Sequence, residues 1–190
     1  MIFYFIIILA VASRFVPHMP NVGLITALAM FSAANMDWKK SVGITLAARF
    51  ISDIFLGFFA WPLMVAVYAA HLVGILFGVW IKNSTSPALR ASSPHKGRDG
   101  ERMQYRWVKI IFSSLASSAI FFLVTNFAFL YAEYPHNFAG VMLAYANGLP
   151  FLRGTMAGDI AYSLLLFGSF ELAMHFKSKT SETKFLIPNS

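Results

Sequence analysis

The feature that most constrains this chain is how its apolar residues are gathered. They fall into long runs, and nearly every charge stands between them. Residues 61 to 81 contain no Asp, Glu, Lys or Arg, and neither do residues 110 to 131. A helix rises 1.5 Å per residue, so a run of about 20 residues crosses the hydrocarbon of a bilayer. Composition agrees. With 58% hydrophobic and 12% charged residues, the chain has too little polar surface to cover a soluble globule. The expected fold is an all-α polytopic membrane protein.

Six candidate spans follow: residues 1–16, 22–36, 41–58, 61–81, 108–131 and 154–176. The first two are short for a full crossing. Ala10, Val11 and Ala12 imitate a secretory cleavage site, but no basic segment precedes them and more membrane follows, so the first run is read as a retained helix. Pro17 and Pro20 close it and delay the next. Twelve of the fifteen Lys and Arg residues lie on one side of this plan, in three clusters: Lys39 and Lys40; Lys82 to Lys109; and Lys177 to Lys184. Cytoplasmic loops carry that excess, so both termini of this multi-pass protein are expected in the cytoplasm. The basic loop 82–107 and the tail 177–190 are then cytoplasmic. The loop's charge suits anionic lipid as well as topology. Basic residues placed between apolar runs do not make a nucleic-acid face.

Polar residues at membrane depth are costly and need partners. Asp53, Asn126 and Asp159 all fall about 7–8 Å below the outer surface when counted along their spans, with Tyr68 slightly deeper and Arg14 and Arg153 just above. This predicts a polar layer that could orient a ligand, with Tyr145 covering apolar ligand surface. Each residue also has a structural reading. Arg49 and Asp53 are four apart and can pair. Asp159 can sit at a helix start or pair with Arg153. Asn126 can join helices, and His71 can be a hydrogen-bonded packing residue. Glu171, near His175 and Lys109, reads as structural. The external segment 132–153, with Tyr134, Phe138 and Phe151, predicts a short amphipathic lid helix or an interfacial aromatic belt.

Small residues at four-residue spacing, Ala66, Ala70, Gly74 and Gly78, make a ridge that another backbone can approach closely. Ser113, Ser114, Ser117 and Ser118 repeat the pattern. Either ridge could pack within the bundle or dock a membrane partner. No P-loop, zinc-ligand pair or nucleophile elbow is present, and there is no cysteine. No cofactor, metal or enzymatic activity is expected. Only Asp53 and Asp159 could form a catalytic carboxylate pair.

The segments Arg14-Phe-Val-Pro-His-Met-Pro-Asn21, Ile51-Ser-Asp-Ile-Phe-Leu-Gly57, Phe121-Phe-Leu-Val-Thr-Asn-Phe127, Leu149-Pro-Phe-Leu-Arg153 and Gly158-Asp159 resemble a bacterial integral membrane family of unknown function. Its members are often labelled as similar to the substrate-binding S component of energy-coupling factor (ECF) transporters. That resemblance implies a six-helix bundle that captures a vitamin or small metabolite from outside, using a coupling subunit and ATPases for energy. It also implies a docking ridge of Ala-x-x-x-Ala type, for which Ala29 and Ala33, or Gly74 and Gly78, have the spacing. A different reading is a non-transporting scaffold of cell-envelope assembly.

Overall fold

The computed structural model describes residues 24–84 and 99–185, less the side chains at 99–102, 128 and 175–185. Among these residues all regular structure is helical. The elements are α1 (Ile25–Asn35), α2 (Trp38–Leu56), α3 (Trp61–Ser84), α4 (Asp99–Thr125), a 3-10 turn at Ala128–Leu130, and α5 (Phe138–Phe185).

The bundle is built around its shortest helix. In α1, apolar residues run right round the helix, and nine of its eleven residues are buried. A helix with no polar face has to be enclosed on all sides. All four other helices touch it, α3 most extensively. At about 16 Å it spans only half of a bilayer's hydrocarbon. The approach of α3 depends on small residues at the contact. A side-chain carbon added at Gly78 would stand 2.3 Å from the Met30 carbonyl oxygen and 2.7 Å from Ala33 Cβ. One added at Gly74 would meet the Thr26 carbonyl oxygen at 2.9 Å and Ala29 Cβ at 3.2 Å. Both ridges with candidate docking spacing therefore face each other inside the bundle.

Helix α2 has its polarity turned inside out. Ser41, Thr45, Arg49, Ser52 and Asp53 are buried, whereas Phe50, Ile54 and Phe55 are exposed. Such a surface suits lipid, where polar groups must find partners inside the protein. Asp37 caps the helix by accepting the Lys39 N–H at 2.9 Å. Gly57 ends it at φ 95°, in the region that favours glycine, with its N–H on the Asp53 carbonyl. Gly43 is exposed in mid-helix with nothing within 4 Å of an added carbon. Gly43→Ala is therefore expected to stabilise the protein by roughly 0.5–1 kcal/mol, read as a higher midpoint of unfolding in mild detergent.

Among the described residues, three helices are long and apolar enough to cross a membrane: Trp61–Ser84, Met103–Thr125 within α4, and Phe138–Met174 within α5. Their outer faces are apolar too, with Leu76, Phe112 and Leu165 exposed. These features make it a helical membrane protein.

Several expectations need correction. The described residues contain five α-helices rather than six spans, and the first expected span, 1–16, lies outside them. The expected span 22–36 is the enclosed helix α1. The expected span 41–58 forms α2, whose Lys39, Lys40, Arg49 and Asp53 leave it short of the apolar content of a crossing. The proposed lid 132–153 and the span 154–176 are not separate. From Phe138 they form one helix with the first part of the expected tail, 48 residues through Phe185. Pro150 does not break it. Ala146, whose carbonyl loses its helical partner there, is itself exposed. Asn137 starts this helix by accepting the Gly140 N–H at 2.9 Å, and a carbon added at Gly140 would collide with the Pro135 carbonyl. The basic loop is shorter than expected, because α3 continues to Ser84 and α4 begins at Asp99.

Candidate functional site

Besides the buried Thr26–His71 pair, polar residues in the described part of the bundle form three groups. The first joins α2 to α3. Arg49 Nε donates to Asp53 Oδ2 at 2.8 Å, and the Tyr68 hydroxyl donates to the same oxygen at 2.9 Å. The Arg49 guanidinium also lies over the rings of Phe59 and Tyr68, at 5.5 and 5.8 Å. Asp53 is 1% exposed and Arg49 8%. Two opposite charges at one helical turn's spacing give a nearly neutral unit, which makes burial affordable in an apolar bundle.

The second group lies between α4 and α5. Arg106 is paired with Glu171 near one end. One level further in, the hydroxyls of Ser114 and Ser163 are 2.9 Å apart, and at the next the Ser118 hydroxyl donates to Asp159 Oδ2 at 2.7 Å. The register is regular: 106, 114 and 118 on α4 meet 171, 163 and 159 on α5. Whole turns separate these levels, as expected for antiparallel helices whose polar residues recur every four positions. Lys109 donates to Ser84 and lies over the rings of Trp80 and Tyr105.

The third group is a cavity of about 340 Å³, open on one side, where the turn after α4 meets the start of α5. Asn126, Tyr131, Glu133, Tyr134, Ala144, Asn147, Gly148 and Phe151 line it. Its polar walls are held in place. Asn126 Nδ2 donates to the Phe122 carbonyl at 3.0 Å, and Asn147 Nδ2 to the Tyr134 hydroxyl at 3.2 Å. Gly148 lets α5 come close to Asn126, since an added carbon would stand 2.3 Å from its Oδ1. Tyr145 is outside the lining. Its hydroxyl donates to the Leu123 carbonyl at 2.9 Å, and its ring lies 5.7 Å from that of Phe122.

Tyr131 donates to the Thr125 carbonyl at 2.6 Å. Burial, then the nearby Tyr134 and Glu133, push its phenol above the ordinary value of 10.0. A group whose folded pKa is raised contributes stability below its unfolded pKa and loses it as pH rises through the folded value. Tyr131→Phe should therefore flatten part of the loss of stability above about pH 10, a difference that parallel unfolding curves across the alkaline range would reveal.

The single polar layer expected from depth counting is thus divided. Asp53 and Tyr68 meet, Asn126 lines the cavity, Tyr145 lies outside that lining against Leu123 and Phe122, and Asp159 belongs to the serine column. Arg153 is exposed on α5 and makes no ion pair with a described residue, and Asp159 pairs with Ser118 rather than with it. Asp53 and Asp159 are held by different helix pairs. His71 is hydrogen-bonded, with Nδ1 3.1 Å from Thr26 Oγ1. Glu171 takes Arg106 rather than Lys109 as its ion-pair partner. Sequence reasoning missed Tyr131, Glu133 and Asn147 at the cavity. Their only signal was their place within or at the edge of the expected lid segment 132–153.

Among the described residues no group of three or more His, Cys, Asp and Glu could hold a metal ion. No curated protein and no solved structure matches the chain. The match that exists is to a family defined by sequence, and it runs through every helix described above: over residues 1–183 this chain belongs to the family of unknown function DUF6580.

Proposed function

We propose that this membrane protein binds a small solute of neutral or positive charge in the cavity between the α4 turn and α5. The supporting observation is the lining itself. It offers two amides, two phenols, one aromatic ring and a single ionisable acid, Glu133, with no Lys or Arg. Such walls accept hydrogen bonds, cover apolar area and favour a ligand that carries donors or a positive charge. A volume of about 340 Å³ suits a metabolite of vitamin size or smaller.

In this reading both termini lie in the cytoplasm, and the cavity opens to the outside of the bacterial inner membrane. The placement of Lys and Arg supports that orientation. The label of similarity to S components that members of the resembled family carry is the ground for proposing capture for an ECF coupling subunit and its ATPases, since the sequence holds no P-loop of its own.

Native mass spectrometry of the full chain in mild detergent tests the proposal on wild type, Glu133→Gln and Gly148→Ala. A stoichiometric small molecule that is weakened by Glu133→Gln and lost in Gly148→Ala is the expected result. A clean unliganded mass for wild type from rich medium, with a membrane protein carried along instead, would overturn it in favour of an envelope scaffold.

A further inference from the structure

The interface between α4 and α5 contains a carboxylate that the cavity does not use. Asp159 is 3% exposed within a span apolar enough to cross a membrane. No cation faces it. Helix α4 has no ionisable residue between Lys109 and its end at Thr125, and α1 has none at all. Between Arg153 and Glu171, α5 has only Tyr162 besides Asp159. On α2, Arg49 is bonded to Asp53; on α3, Tyr68 and His71 are engaged by Asp53 and Thr26. Arg106 is held by Glu171. A lone buried carboxylate is too costly to leave uncompensated.

The hydrogen bonds around it are short of one hydrogen. Ser118 Oγ lies 2.7 Å from Asp159 Oδ2 and 2.9 Å from the Ser114 carbonyl oxygen. Both are acceptors, and the hydroxyl has one hydrogen. The neighbouring level is already balanced. Ser163 can donate to Ser114, and Ser114 to the Ile110 carbonyl at 2.9 Å. A proton on Asp159, donated to Ser118 Oγ, would free the Ser118 hydrogen for the Ser114 carbonyl. A sodium ion would instead take the carboxylate and the hydroxyl oxygens as ligands.

We propose that Asp159 and Ser118, backed by Ser114 and Ser163, form an intramembrane binding site for one monovalent cation, a proton or a sodium ion. The site stands about 12 Å from the cavity along the same interface, two turns from Asn126 on α4 and from Phe151 on α5. It does not depend on the cavity binding a solute.

Infrared difference spectroscopy on the full chain in nanodiscs tests it, with Asp159→Asn and Ser118→Ala beside wild type. In the proton arm, wild type should show the C=O stretch of a neutral carboxyl at neutral pH. That band should be lost in Asp159→Asn and shifted in Ser118→Ala. In the sodium arm, replacing choline by sodium should give a saturable change in the carboxylate bands, lost in Asp159→Asn and weakened at least tenfold in affinity by Ser118→Ala. Either pattern supports the site and names its cation. An ionised carboxylate that responds to neither exchange overturns it. Should Asp159→Asn fail to fold, the shift or weakening in Ser118→Ala still decides, because that variant keeps the carboxylate.

Discussion

Asp53→Ala is expected to destabilise the bundle by about 3–5 kcal/mol, the cost of breaking a buried ion pair by removing one partner. The substitution removes the oxygen that accepts from both Arg49 and Tyr68, so α2 loses its internal ion pair and the link to α3 loses its hydrogen bond, leaving the Arg49 charge unbalanced. Arg49, 8% exposed, has no aqueous shell to return to without moving α2. Tyr68→Phe removes one of those bonds and leaves the pair intact, so its cost should be about 1 kcal/mol. Unfolding by titration from mild detergent into sodium dodecyl sulfate would give the order. Equal losses for the two variants would show that the pair is not what holds these helices.

Gly78→Leu should have a comparable effect by a different route. Even Gly78→Ala places a carbon 2.3 Å from the Met30 carbonyl oxygen, a backbone atom that cannot turn away, and should cost about 1–3 kcal/mol. Leucine adds three more carbons where α1 has none to yield, and should separate α3 from α1 altogether. Gly74→Ala should cost less, because its closest approach is 2.9 Å. Gly43→Ala should have the opposite sign. Thermal unfolding of the four variants in one detergent is a direct comparison. It also bears on docking. A Gly78→Leu protein as stable as wild type that has lost a membrane partner would place this ridge at an outer interface, against the packing described here.

The two ridges show how far sequence pattern reaches. Ala29 with Ala33 and Gly74 with Gly78 have the spacing of close helix contact, and each was equally suited to a partner subunit. Spacing says that a backbone can approach, but not which backbone. The structure pairs them with each other because α1 is apolar on every side and has to be enclosed. The same limit applies to the polar layer. Counting at 1.5 Å per residue placed Asp53, Asn126 and Asp159 at one depth, but depth carries no information about azimuth. Asp53 faces α3, Asp159 faces α4, and Asn126 borders a cavity made by a turn.

Sequence by itself determined what depends on local composition. The membrane character, the helical class and the Arg49–Asp53 pair at four-residue spacing all follow from residue type and period. So does the hydrogen-bonded state of His71, since a buried imidazole needs a partner. Tertiary structure alone decided where helices continue and which faces meet. A proline ordinarily marks a boundary, yet α5 runs through Pro150 because the carbonyl it deprives belongs to an exposed residue, a fact of packing that no window of sequence contains. The cavity arose in the same way. Tyr131, Glu133 and Asn147 are separated by a turn and a helix start, and they share a wall only because α5 returns alongside α4.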